Sequence, residues 1–437
     1  LIDSKSLLKN LHNEIVSFFL PSNIFRQKMS YDKDRGALNI KNKRVNLKRK
    51  NIFVFSTGKS SLEMAEATNE ILGERIKKGL AITNIKAKKK NIGNIEIAYG
   101  NHPLPDENSL KSGKKIHRMI SMTGQNDVVI FLISGGGSDM MVYPENSISL
   151  KDYIKTVKIL KKCGADIGEI NTIRKKIDRV KGGKLRLASK SDKFINIVFS
   201  DVPTLNDDLK FIASGPVFKD DTEFKDAYNI FLKYRIENEI PESVRDFIKK
   251  NINKKTKVDE NVFKNDITFL MAKNRDVQRF IGDYLNEKGF KVIFLKRMVK
   301  YEVNKEKDYL LRKIFENINK KNIAIIGGGE PVVKIDVKSP GKGGRMSHLS
   351  LLILRELLKN KIKNVSFLLA GTDGIDGNSR IAGAIVSMRS LGKIKLNEVE
   401  RYLKNYDSAS FLKKYRLALE TGYTGINLAD ILVFLIG

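Results

Sequence analysis

Short apolar runs alternate with stretches of helical period along nearly the whole chain, and that alternation predicts an α/β protein. The strand-like runs are Asn51–Phe55, Gly79–Ile85, Ile95–Tyr99, Val128–Ile133 and Lys193–Phe199, then Ile267–Met271, Lys291–Leu295, Asn322–Ile326 and Val365–Ala370. Helical period is read in residues 1–20, in Leu62–Leu72, from Asp106 as N-cap to Met122, and in Leu150–Cys163. It continues in Ile170–Leu185 and Glu242–Lys250, from Asn274 onward, and in Lys305–Asn319 and Leu349–Leu358. Val128–Ile133 is wholly apolar and stops abruptly at Ser134-Gly135-Gly136-Gly137-Ser138, the pattern of a parallel strand buried on both faces. A second glycine loop is expected at Gly327–Gly329, followed by a hairpin-like return over VVKIDV. The polar, Asn/Lys-rich stretch Pro241–Asn265 marks a boundary, so two domains are expected, 1–243 and 244–437, with the last residues candidates for returning to the first.

Composition narrows the class. With 437 residues, 41% hydrophobic and 30% charged, the chain is long enough for two cores and is not of the disordered type. No apolar run reaches membrane-span length, and the acids in the first helix argue against a signal or transit peptide, so a cytoplasmic protein without membrane attachment is expected. One cysteine, Cys163, leaves no internal disulfide and fits a reducing compartment. The four scattered histidines offer no zinc spacing. The formal charge of +31 would suit nucleic acid, but the lysines are spread along the chain and accompany no nucleic-acid motif. No nucleic-acid partner is expected; the positive field would equally draw in a small anionic substrate.

The candidate chemistry sits where the apolar runs end. Three glycines after Ile133 let successive amides point at one spot, a nest for phosphate oxygens. Strand, Ser56-Thr57-Gly58-Lys59-Ser60, then helix brings a lysine and loop amides to a helix N-terminus, a second anion-binding arrangement. Asp201 follows the Lys193–Phe199 strand at the carboxyl end where open α/β sheets hold ligands. Gly341-Lys342-Gly343-Gly344-Arg345 and Gly371-Thr372-Asp373-Gly374-Ile375-Asp376-Gly377 add a loop arginine and two strand-end acids. Cations, amides and carboxylates with little histidine make the inventory of a phosphate-handling α/β enzyme.

Eight ordered motifs carry a resemblance beyond that inventory. NHPLPDE (101–107), LISGGGS (132–138), GADIGEINTIRKKIDRVKGGKL (164–185), SDV (200–202), DDLKFIASGP (207–216), GKGGR (341–345), AGTDGIDG (370–377) and TGYTGINLAD (421–430) resemble the ATP-dependent glycerate 2-kinases with a C-terminal MOFRL domain. The resemblance implies a larger Rossmann-like parallel-sheet domain, a smaller MOFRL-type α/β domain and an active site in the cleft between them. It also implies transfer of the ATP γ-phosphate to the 2-hydroxyl of D-glycerate with Mg²⁺, and it leaves a homodimer open.

On these matches Lys59 and Arg345 are the catalytic candidates, binding the transferring phosphoryl group and the glycerate carboxylate. Asp373 would orient and deprotonate the acceptor hydroxyl, with Asp376 beside it. Ser134, Gly135, Gly136, Gly137 and Ser138 would hold nucleotide phosphates, and Arg174 and Lys181 would line the cleft. Asp201 and Asp207 would hold Mg²⁺. Two departures stand out: Met346-Ser347-His348 replaces the family's usual Asn-Gln-Glu after the arginine, and Asp139-Met140 replaces small apolar residues after the glycine loop. A kinase of a related hydroxy acid therefore stays open, as does a hydroxypyruvate-reductase-type oxidoreductase, which would need a G-x-G-x-x-G fingerprint that neither glycine run supplies.

Overall fold

The computed structural model describes residues 3–202, 209–254, 259–388, 391 and 394–437. The chain forms two compact units, one of residues 21–200 and 208–271, the other of residues 1–20, 201–207 and 272–437.

The first of these is built on a seven-stranded sheet. From edge to edge its strands are Ile267–Lys273, Lys193–Ser200, Asp127–Ile133, Asn51–Thr57, Ile76–Thr83, Ile95–Tyr99 and Asn91–Ile92. Asn51–Thr57 runs parallel to both its neighbours, and Asp127–Ile133 is parallel to Lys193–Ser200. Every residue of Asp127–Ile133 is buried, as its unbroken apolar run requires of a strand covered on both faces. A satellite core of helices, Leu150–Lys162, Ile167–Ile177, Phe224–Lys233 and Glu242–Lys250, packs around Tyr153, Leu160, Ile173, Phe231 and Ile248.

The helix expected over 170–185 ends early. It runs Ile167–Ile177, capped by Asp166, and Asp178 turns extended. Gly182 and Gly183 then take φ of 59° and 76°, which interrupt any continuation before the short helix Lys184–Ala188. Arg174 and Lys181 consequently share no helical face.

The other unit has a six-stranded sheet in the order Lys291–Phe294, Ile323–Gly329, Asp430–Ile436, Val365–Gly371, Gly383–Ser387, Ala418–Leu419. Only the first pair is parallel; the terminal strand Asp430–Ile436 runs antiparallel between Ile323–Gly329 and Val365–Gly371. Burial on both faces therefore does not fix strand direction here. The glycines expected as a loop at 327–329 lie inside the strand, fully buried. A methyl on Gly328 would stand 1.8 Å from Asn274 Oδ1, so the bare backbone is what lets the helix Asn274–Glu287 close onto the sheet. The hairpin expected over VVKIDV does not form; Val332 makes only an isolated bridge to Glu302.

Helix Ser4–Phe19, capped by Asp3, belongs to this unit, with Phe18 against Phe280 at 4.8 Å and Lys5 Nζ donating to the Arg416 carbonyl at 3.0 Å. Among the described residues no helix is long and apolar enough to cross a membrane.

His12 lies on the buried face of that helix, where the described residues give neither ring nitrogen a hydrogen bond, and burial lowers its pKa from 6.5 to about 4. The unfolded chain thus takes the proton first, so stability is intact above about pH 6.5 and falls toward pH 4. His12→Leu removes that loss: between pH 7 and 4.5 its urea-unfolding free energy should drop by roughly 2 kcal/mol less than the parent's. Equal drops in both chains would refute the assignment.

Candidate functional site

Asn51–Thr57 and Asp127–Ile133 pair in parallel with Thr57 opposite Ile133, so the loops that follow them emerge side by side. They are stitched together: Ser134 N donates to the Thr57 carbonyl at 3.0 Å, Lys59 N to the Gly135 carbonyl at 2.8 Å, and Ser60 N to Ser134 Oγ at 3.0 Å. Gly58, at φ 116°, is required by this contact, since a methyl there would stand 2.3 Å from the Ser134 carbonyl oxygen. Gly136 takes φ 88°, and a methyl on it would lie 3.2 Å from Lys59 Cγ and 3.3 Å from His102 Cδ2, so lysine, histidine and glycine loop are neighbours. The amides of Gly135, Gly136, Gly137 and Ser138 make no hydrogen bond within the described residues. Four consecutive unpaired donors beside a half-buried lysine form an anion cradle.

Behind the cradle, side chains from distant segments fix its far end. Ser138 Oγ meets Ser214 Oγ at 2.9 Å, and Ser214 Oγ donates to Asn171 Oδ1 at 2.8 Å. Arg174 Nη2 donates to Asp139 Oδ1 at 2.6 Å, with both side chains buried, and Lys181 Nζ donates to the Met141 carbonyl. Burial pulls Lys181 down to about 8, against the attraction of Asp178. Asp139, one of the two departures after the glycines, is thus the counter-ion that a buried Arg174 requires.

In the second unit the helix Arg345–Lys359 starts at Gly344, and its first turn is closed. Asp376 accepts from Met346 N at 3.0 Å and Ser347 N at 2.7 Å, and Gly344 N donates to Ser347 Oγ at 2.8 Å. With these donors taken, this helix start offers no cradle of the kind seen after Ile133. Arg345 Nε donates to Asp430 Oδ2 at 2.5 Å, and Nη2 donates to Glu330 Oε1 at 2.6 Å. Asp373 is nearby: a methyl on Gly371 would be 3.1 Å from Asp373 Oδ1 and 3.3 Å from Asp430 Oδ1.

Burial raises the Asp430 carboxyl to about 7, Glu330 and Asp376 adding repulsion against the pull of Arg345. Burial likewise raises Asp376, opposed by its bonds to Ser347 and Met346. Met346 is fully buried in the core, and His348 stacks on Tyr406 at 5.1 Å. Two of the three side chains that depart from the family wording after Arg345 therefore serve packing.

The sequence-derived candidates thus fall into groups. Lys59 and Ser134–Ser138 adjoin at neighbouring strand ends; Arg174 and Lys181 hold the residues just after the loop. Arg345, Asp373 and Asp376 cluster in the other unit, where Asp201 Oδ2 accepts from Asn427 Nδ2 at 2.9 Å. Asp207 lies outside the described residues. Among the described residues no three His, Cys, Asp or Glu side chains gather as a metal cage. Sequence reasoning missed Glu330 and Asp430. Asp430 did carry a signal, as the last residue of the motif TGYTGINLAD; Glu330 had only its place directly after an apolar strand, and the antiparallel pairing brings both to one end of the sheet.

Comparison with known proteins bears on this arrangement. A family described as a domain of unknown function, DUF4147, matches residues 7–249, and the MOFRL family matches residues 323–430. A D-glycerate 2-kinase of Thermotoga maritima is 35% identical over 401 residues, covering 90% of this chain and 92% of that protein. A glycerate 2-kinase of Pyrococcus horikoshii is 34% identical over 397 residues, covering 88% and 87%. The chain belongs to the glycerate 2-kinase family. A crystal structure of the glycerate kinase from Thermotoga maritima superposes with a TM-score of 0.80 at 31% identity, covering 99% of both chains. As a member of the glycerate 2-kinase family the chain is an enzyme, and the α/β architecture with a MOFRL domain is that of its relatives.

In this glycerate 2-kinase family member the start of the Arg345–Lys359 helix hangs on one carboxylate. Asp376→Ala leaves two buried amides unpaired and should lower unfolding free energy by about 1–3 kcal/mol, read from urea or thermal midpoints. An unchanged midpoint would mean that those bonds carry no stability.

Proposed function

We propose that the chain transfers the γ-phosphoryl group of ATP to the 2-hydroxyl of D-glycerate, yielding 2-phospho-D-glycerate and ADP. The observation that carries this reading is the row of four unpaired amides, Gly135 to Ser138, beside Lys59. Such donors suit phosphate oxygens, and the residues present fit a nucleotide triphosphate. Membership in the family supplies the substrate class.

The acceptor oxygen attacks the γ-phosphorus as the bond to the β–γ bridging oxygen breaks and ADP leaves with the electron pair. Asp373, a buried carboxylate whose Oδ1 accepts from Ile375 N at 3.1 Å, takes the hydroxyl proton. Lys59 and Arg345 meet negative charge, on the transferring phosphoryl group and the glycerate carboxylate respectively. Asp376 acts by holding the turn from which Arg345 projects. Asp201 would hold Mg²⁺, which needs only one or two carboxylates beside phosphate oxygens and, when bound, offsets phosphate charge. Met346 and His348 are committed to packing, which leaves the cations and Asp373 to define the chemistry.

Purified protein given Mg-ATP and D-glycerate should yield ADP and 2-phosphoglycerate in equal amounts, the phosphoester position read by NMR. A product phosphorylated at the 3-position, or NAD(P)H oxidation with hydroxypyruvate and no use of ATP, would overturn the reading. Lys59→Ala and Arg345→Ala should each lower kcat/KM by about a hundredfold to a thousandfold while the fold persists, the usual cost of removing one charge-stabilising donor. Near-normal rates in both variants would remove them from the site.

A further inference from the structure

The guanidinium of Arg345 is bound along one edge before any substrate arrives. Asp430 accepts from Nε at 2.5 Å and from Nη2 at 3.2 Å, and Glu330 accepts from Nη2 at 2.6 Å. A guanidinium carries five N–H groups, and these contacts occupy Nε and Nη2 while leaving Nη1. The described residues give Nη1 no hydrogen bond, and the side chain keeps 34% of its exposure while Asp430 keeps 3%. Nε and Nη2 are therefore anchored inside the protein and Nη1 is left for an incoming anion.

Asp430 is itself held by rigid structure. It opens the strand Asp430–Ile436, and its register places it between Gly329 on one neighbour and Gly371 on the other. Its carbonyl accepts from Asn274 Nδ2 at 2.9 Å, and Asn274 is in turn bonded by Gln278 Nε2 at 2.7 Å. The Asp376 carboxylate meanwhile fixes the backbone just after Arg345 through two amides. Root and tip of the arginine are thus set by different carboxylates on different segments. A free arginine spreads over many rotamers, and a pre-set one spends less of the substrate's binding energy on ordering.

We propose that Asp430 is a positioning residue that, with Glu330 as lesser partner, aims Nη1 of Arg345 at the acceptor's anionic group. The proposal rests on the reading that Arg345 takes part in the transfer. Asp430 touches neither substrate; it acts through the guanidinium. Glu330 is the lesser partner because it is 30% exposed and makes a single contact.

The test is steady-state kinetics of the full chain with Mg-ATP and D-glycerate. Asp430→Asn keeps the shape but turns a donor toward the guanidinium. It should lower kcat/KM for D-glycerate at least tenfold, leave the KM for Mg-ATP within threefold, and unfold cooperatively. Glu330→Gln should lose less than Asp430→Asn. In an Arg345→Lys background, whose residual rate radiolabelled ATP reads, Asp430→Asn should cost less than threefold, because no fork remains to aim.

An Asp430→Asn variant that folds and works within threefold of the parent overturns the proposal. So does a loss falling equally on both substrates, or one of the same size in the Arg345→Lys chain. Where Arg345→Lys is silent, the comparison of the two substrates in Asp430→Asn decides alone. Full activity in Arg345→Lys is a separate result, removing the role of Arg345.

Discussion

A charge taken out of water must meet its opposite, and this chain uses that constraint to tie together segments far apart in sequence. Arg174 meets Asp139 at 2.6 Å, Lys176 meets Asp220 at 2.8 Å, Arg186 meets Asp266 at 2.8 Å, and Arg345 meets Asp430 at 2.5 Å. In each pair the acid is buried, and in all but the last the base is buried as well. Removing one partner of such a pair leaves an uncompensated charge and costs about 3–5 kcal/mol, more than a whole exposed ion pair contributes. In a protein with 81 basic and 50 acidic residues, each buried acid is a scarce partner. Its placement selects which segments come together.

The two candidate regions use their backbone donors in opposite ways. After Ile133 the glycines leave four amides open, and the loop is steadied from behind by Ser138–Ser214–Asn171 and by Asp139–Arg174. At the start of Arg345–Lys359 the amides are spent on Asp376, so the helix presents a side chain instead of a backbone nest. Amides follow a phosphate's oxygens closely but cannot turn; a guanidinium has reach and needs aiming. The first arrangement suits a polyphosphate and the second a single carboxylate or phosphoryl group.

Glycine is spent where another segment, backbone or side chain, presses on the main chain. Gly58 against Ser134 and Gly328 against Asn274 are both close approaches that any side chain would block. Only one of the two glycine runs is also a loop. The run after Ile133 turns the chain, whereas Gly327–Gly329 stays in its strand and spends its missing side chains on letting a helix settle.

Most elements were legible in the sequence because they depend on local spacing: the buried run Asp127–Ile133, the Asp106 cap, and the Gly-Lys loop with its helix. The candidate cations and the glycine loop were legible for the same reason, since strand ends are where such residues carry chemistry. The break at Asp178 was not, because there the extended backbone bridges to Pro144 and the carboxylate accepts from Tyr143 N, contacts with a segment some 35 positions earlier. Nor was the packing of helix Ser4–Phe19 on strands from the second half, since an amphipathic face does not say what will cover it. Asp430 is the clearest case: it closes a motif and opens a buried strand, but nothing local names its partner Arg345, 85 positions away. The sequence by itself determined which segments would be strand or helix and which loops could meet an anion, because periodicity and backbone freedom are local properties. Only the tertiary structure decided which carboxylate holds which cation, because a buried pair is chosen by what the folded sheet brings within hydrogen-bond distance.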